Sequence, residues 1–285
     1  MHNANALELL VAQVENLPGL AEVALRVIRT VDNPRSSAAQ VAHELSTDQA
    51  LTARVLKLAN SVAFTGSRPI STVSEAVVRV GMRSIRNLAY AASCEQMMTD
   101  PLDGYALKHG ELWRHSYACG MAAQIIAKTV GYKPSEEAFV AGLLHDIGKV
   151  MLNTYLRDNY ARVRARVESD AIPFMEAEVA ELGFDHAMAG GMMLKHWRLP
   201  ENLVDAITDH YDPMASEKPS QLSQIVHVAD IVTTMLGIGI GVDGLAYRLD
   251  QNVLDSLKIT DESFEIIVNQ VYEAALNEGL ESQKI

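Results

Sequence analysis

Apolar residues recur at helical spacing along most of the chain. Leu51, Val55, Leu58 and Val62 fall at i, i+4, i+7 and i+11, with Arg54 and Lys57 off that stripe, which predicts an amphipathic helix. Thr72-Val73-Ser74-Glu75 has the spacing of a capping box, with the Thr72 hydroxyl taking an orphan amide and Glu75 reaching back. The helix it opens should stop at Gly81, and a new one should run from about Ser84 to Met98. Asp100-Pro101-Leu102-Asp103-Gly104 reads as a turn. The next helix is predicted from about Lys108 to Val130, ending at Gly131, and Ser135 is the expected N-cap of the one after it. Further breaks fall at Pro173, Pro200, Pro213, Pro219 and the glycines at 237, 239, 241 and 244. No segment alternates with period two, so the expected class is all-α with ten or more helices. Residues 254–285 read as one helix with an acidic surface, either capping the domain or mediating a dimer.

Composition narrows the picture only a little. The 285 residues are 48% hydrophobic and 21% charged, close to soluble globular proteins, and the hydrophobic content argues against disorder. The formal net charge is −12. It is uneven: residues 1–90 hold nine Lys/Arg and seven Asp/Glu, and the remainder carries the acidic excess. An acidic chain repels phosphate backbones, so nucleic acid is not an expected partner. Cys94 and Cys119 have no metal-type or disulfide-type spacing and suggest a reducing compartment. The N-terminus lacks a basic region followed by an apolar one, and the nearly uncharged run Ile231 to Val242 is too short to span a bilayer. The expectation is a cytoplasmic protein with no membrane partner.

Candidate chemistry lies in the histidines. Leu143-Leu144-His145-Asp146-Ile147-Gly148-Lys149 holds an adjacent His-Asp pair; in a helix the two side chains stand about 100° apart and can lean toward one ion. Lys149, one turn on, can overhang the same point and meet an anionic oxygen. His115 precedes this run, and His186, His210 and Asp230 follow it.

That order, His…His-Asp…His…His…Asp, resembles the metal-binding HD superfamily. The upstream segments Leu17-Pro18-Gly19-Leu20, Asp48-Gln49-Ala50-Leu51 through Asn60-Ser61, and Ile70-Ser71-Thr72-Val73-Ser74-Glu75-Ala76-Val77 make the chain similar to the HDOD family, a helical group in bacterial signalling. The resemblance covers roughly residues 10–235. It implies His115, His145, Asp146 and Asp230 as a basic metal site, with His186 and His210 as the extra ligands of dinuclear members. Glu111 matches a carboxylate used by trinuclear relatives of the HD-GYP group. His210-Tyr211 stands where those relatives have His-His, and Asp212-Pro213-Met214-Ala215 replaces their Gly-Tyr-Pro segment, which argues against a third metal and against cyclic di-GMP hydrolysis.

Plainer readings stand beside these. The cluster could be a relic whose members only hydrogen-bond one another. Glu111 could be a solvated helix residue, and Lys149 could simply pair with a carboxylate. His227 reads as structural; His43, His109 and His196 read as surface or filler; Met188, Met192 and Met193 read as core. Arg54, Lys57, Arg68, Arg79, Arg83 and Arg86 could form a basic patch or a solvated face.

The expected architecture is an N-terminal helical part over 1–107, an HD-like metal-site subdomain over 108–240 and a C-terminal helical extension over 241–285. The leading functional reading is a signal-transduction protein with a metal-dependent phosphohydrolase site. In it Asp146 and Lys149 are catalytic, and His115, His145, Asp146, His186, His210 and Asp230 hold one or two divalent transition ions, Fe or Mn before Zn, Ni or Mg. The substrate would be a phosphomonoester, phosphodiester or nucleotide. The alternative is a non-catalytic signalling or adaptor module that binds a protein partner or nucleotide, with a homodimer open in both. A helix-turn-helix regulator has only the mildly basic N-terminal third in its favour.

Overall fold

The computed structural model describes residues 20–61, 68–216, 218–241 and 249–280, and of residues 154–160 the backbone alone. Among the described residues the chain forms fourteen α-helices and no strand. Two compact units are separated at residues 96 and 97.

The first unit carries α1 (Glu22–Asp32), α2 (Ala38–Ser46), α3 (Gln49–Ala59), α4 (Val73–Val80) and most of α5 (Met82–Thr99). Local chemistry sets the starts. Ser37 and Gln40 form a capping box at α2, and the Asp48 side chain accepts from the Leu51 amide at α3. Leu51, Val55 and Leu58 are buried as the stripe requires; Val62 lies outside the described residues. Thr72 caps α4 through the Glu75 amide, but the box is not closed as expected. Glu75 instead accepts from the Ser71 amide at 3.1 Å and from Arg68 at 2.8 Å, so its carboxylate serves the approach to the helix rather than the cap residue. Asn60 closes the segment before α4. Its amide donates to the Ile70 carbonyl at 2.8 Å, and its oxygen accepts from the Ile70 amide at 2.7 Å.

The second unit continues with a short 3₁₀ turn (Asp103–Tyr105), α6 (Glu111–Val130), α7 (Ser135–Leu144), α8 (Gly148–Asp170), α9 (Phe174–Leu182), α10 (His186–His196), α11 (Glu201–Thr208), α12 (Gln221–Met235), α13 (Gln251–Leu257) and α14 (Asp261–Asn277). α6 starts at Glu111 rather than Lys108, because Gly110 is left-handed and Glu111 turns back to accept from the Lys108 amide at 2.6 Å. Pro134, not Ser135, stands before α7, and no side chain caps it. The expected single C-terminal helix is two. Lys258 adopts the left-handed conformation and ends α13, and a capping box of Thr260 and Ser263 opens α14. No described helix is long and apolar enough to cross a membrane.

Packing in this unit is close where glycines permit it. α7 lies against α6 with Gly142 over the Cys119 carbonyl, and α8 meets α10 where Gly148 faces the His186 backbone. A Cβ at Gly148 would land on the His186 carbonyl oxygen. Met188, expected in the core, is 38% exposed: it lies in the first turn of α10, whose buried side is taken by Ala187, Ala189, Gly190 and Gly191.

Candidate metal centre

His145, Asp146 and Ile147 form the tight turn between α7 and α8, not the helix interior that the local sequence suggests. Backbone bonds there close over three residues, from Ile147 to Leu144 and from Lys149 to Asp146, each at 3.0 Å. The tightening brings Lys149 back over Asp146, with Nζ 2.5 Å from Oδ2. His115 comes from the start of α6, His186 opens α10 behind its Asp185 cap, His210 follows the end of α11, and Asp230 lies in α12.

All seven residues singled out in the sequence meet in one place. Six of them, all but Lys149, form three overlapping groups: His115, His145 and Asp146; His145, His210 and Asp230; Asp146, His186 and His210. Within each group the candidate ligand atoms lie within 4.8 Å of one another, a spread that one ion can span. Asp146 faces two ways. Its Oδ2 is 3.3 Å from His145 Nε2 and 3.8 Å from His115 Nε2, while its Oδ1 is 3.3 Å from His186 Nε2.

The four rings share one orientation. Nδ1 of His115 donates to the Ile238 carbonyl at 3.0 Å, that of His145 to Gly142 at 2.7 Å, and that of His210 to Ile207 at 2.7 Å. His186 Nδ1 donates to the Glu178 carboxylate at 2.8 Å. Carbonyls only accept, so those Nδ1 atoms carry the hydrogen and Nε2 is left to the interior of the cluster. His145 Nε2 is fully buried there without a hydrogen-bond partner. His115 Nε2 meets Asp230 Oδ1 at 2.9 Å within the cluster. The orphan His145 nitrogen stands 3.3 Å from Asp146 Oδ2 and 3.6 Å from Asp230 Oδ1, an arrangement that a cation between them would fit.

The buried charges shift one another. Burial pushes the Asp146 and Asp230 carboxyls up, but the His145 charge beside both, joined by Lys149 at Asp146 and His115 at Asp230, holds each well below the ordinary carboxylate range. Burial pushes His145 down and the facing carboxylates drive it well above its usual value. His210 goes the other way, to about 3, through burial and the neighbouring His145 and His186. Its ring is neutral at physiological pH and offers a lone pair. The centre opens on a cavity of about 40 Å³ with apolar walls that include Leu112, Phe174 and Met175. That is room for a few water-sized bodies.

Other residues are sorted by their contacts. Glu111 is spent on the Lys108 amide. His227 is buried and donates Nδ1 to the His210 carbonyl at 3.0 Å, a structural part as expected. His43, His109 and His196 are exposed. In the first unit the basic residues are largely paired: Arg68 and Arg79 with Glu75, Arg86 with Asp32 and Lys57 with Glu95. Sequence reasoning missed Glu178, Tyr105 and Ile238. Glu178 lies eight residues before His186, but only the fold brings Tyr105 and Ile238 to the centre.

The model of the HDOD domain family matches residues 17–213. An uncharacterized protein of Treponema pallidum is 27% identical over 228 residues, 79% of this chain and 43% of that protein, so the chain spans less than half of that relative's length. The crystal structure of an HDOD domain protein of unknown function from Geobacter sulfurreducens is similar at 26% identity and a TM-score of 0.70, covering 95% of this chain and 96% of the other. That of a presumed phosphohydrolase from Shewanella amazonensis SB2B is similar at 27% identity and a TM-score of 0.66, covering 95% and 92%.

Proposed function

From the premise that this chain belongs to the HDOD domain family, we propose that it is a signalling protein with a metal-dependent phosphohydrolase site. One observation carries the reading: four imidazoles, each tied outward through Nδ1, gather with Asp146 and Asp230 in overlapping groups whose candidate ligand atoms lie within 4.8 Å. His115, His145 and Asp230 would hold one ion and His186 and His210 a second, with Asp146 between them. Imidazole and carboxylate together suit Fe or Mn ahead of Ca. Such ions, when bound, lower the pKa of coordinated water and polarise a phosphoryl oxygen. Lys149 orients the phosphoryl group and offsets its growing negative charge. Phe174, Met175 and Leu112 keep bulk water out. The cavity would take the phosphate end of an ester.

The test is hydrolysis of p-nitrophenyl phosphate and bis(p-nitrophenyl) phosphate by protein reconstituted with Mn²⁺ or Fe²⁺. Turnover should appear with metal and vanish in Asp146→Ala. Turnover that survives chelation refutes the mechanism. A second reading, a non-catalytic adaptor, draws on the small cavity and on the complete burial of His145. Full metal loading without turnover of either ester decides for it.

A further inference from the structure

His145 and His210 solve the problem of orienting a ring in the same way. Each sits just beyond the end of a helix, α7 or α11, where unpaired carbonyls are at hand, and each uses the carbonyl three residues back. His186 has no such option. It is the first residue of α10, and a helix start presents unpaired N–H groups, not carbonyls. The positive end of the helix also makes an imidazole there a poorer donor to a cation.

Glu178 meets both difficulties. Its carboxylate is completely buried, and its Oε2 accepts from the His186 backbone N–H at 3.1 Å and from His186 Nδ1 at 2.8 Å. Its Oε1 accepts from the Tyr105 hydroxyl at 2.5 Å. A buried carboxylate is expensive, and three donors compensate this one. At Nδ1, His115, His145 and His210 meet neutral carbonyls, whereas His186 meets an acid.

We infer that Glu178, held by Tyr105, is the positioning residue that makes His186 a ligand, and so builds the second of the two metal positions without touching the ion. The inference rests on the dinuclear reading above. The carboxylate fixes the ring with Nε2 toward Asp146 and raises its basicity, which a neutral amide in the same place does not.

The experiment is a Mn²⁺ titration of the full chain, with free Mn²⁺ read by electron paramagnetic resonance. Wild type should bind two equivalents. Glu178→Gln should bind the first with unchanged affinity and the second about 10–100-fold more weakly. Tyr105→Phe, which removes one hydroxyl, should weaken the second alone by a smaller factor and keeps the test sharp if Glu178→Gln does not fold. Two unchanged equivalents in a folded Glu178→Gln, or equal weakening of both positions, overturns the inference and leaves the metal reading standing. A wild type that binds no Mn²⁺ overturns the metal reading itself.

Discussion

The two compact units treat polar groups in opposite ways. In residues 18–96 the described buried polar residues are Ser61, Ser84 and Asn87, and none is charged. Ion pairs such as Arg68–Glu75 and Arg86–Asp32 lie at the surface, where they add little to stability. In the unit from residue 97 onward, Asp146, Lys149, Glu178 and Asp230 are buried together with five histidines. Taking such groups out of water costs several kcal/mol per ion unless each is paired. The first unit shows that this same chain can pack helices without such groups, and the metal-centre reading is what would account for their presence in the second.

Four substitutions break or sharpen this contrast. Lys149→Met takes the ammonium from Asp146 and leaves it the His145 and His186 rings, which should cost the metal-free protein about 1–3 kcal/mol. Saturating Mn²⁺ should recover much of the loss, since a cation again faces Asp146. Calorimetry with and without Mn²⁺ reads both, and an equal loss in each contradicts the account. Gly148→Ala drives a methyl group into the His186 backbone and should cost about 1–3 kcal/mol, or more. It should lower metal content together with the melting temperature, because Asp146 lies in the turn that leads into α8 and His186 opens α10.

Asn60→Ala strips the Ile70 amide and carbonyl of their partners in the first unit, at about 1–3 kcal/mol by urea denaturation. Its metal content should equal that of wild type, and a parallel loss of metal would erase the contrast. The smallest effect is expected from Arg68→Ala. Arg68, with the Ser71 amide and Arg79, holds the half-buried Glu75 carboxyl down to about 2. A carboxyl depressed in the folded state stabilises above its unfolded pKa and loses that contribution as pH falls toward 2. The variant should leave neutral-pH stability nearly unchanged, weaken its growth from pH 2 to 5, and bring the Glu75 titration, followed by NMR, back up.

Legibility in the sequence followed distance along the chain and from the family pattern. His145, Asp146 and Lys149 could be read together because one turn holds them, and the all-α class followed from apolar spacing. The same run hid its conformation, since closure over three residues rather than four depends on how α7 meets α8. His115, His186, His210 and Asp230 were legible only through family resemblance. Glu178 resembles any helical glutamate until Tyr105, 73 residues earlier, supplies its hydrogen. Glu75 and Ser135 went astray for a simpler reason: a cap spacing names the residues able to bond, and neighbours such as Ser71 and Pro134 decide which do.

The central claim is that these side chains form a metal centre. It is tested most directly by elemental analysis of the purified protein after reconstitution under reducing conditions, beside Asp146→Ala. The account predicts about two Fe or Mn per wild-type chain, lost in the variant. A folded wild type that holds no metal contradicts it.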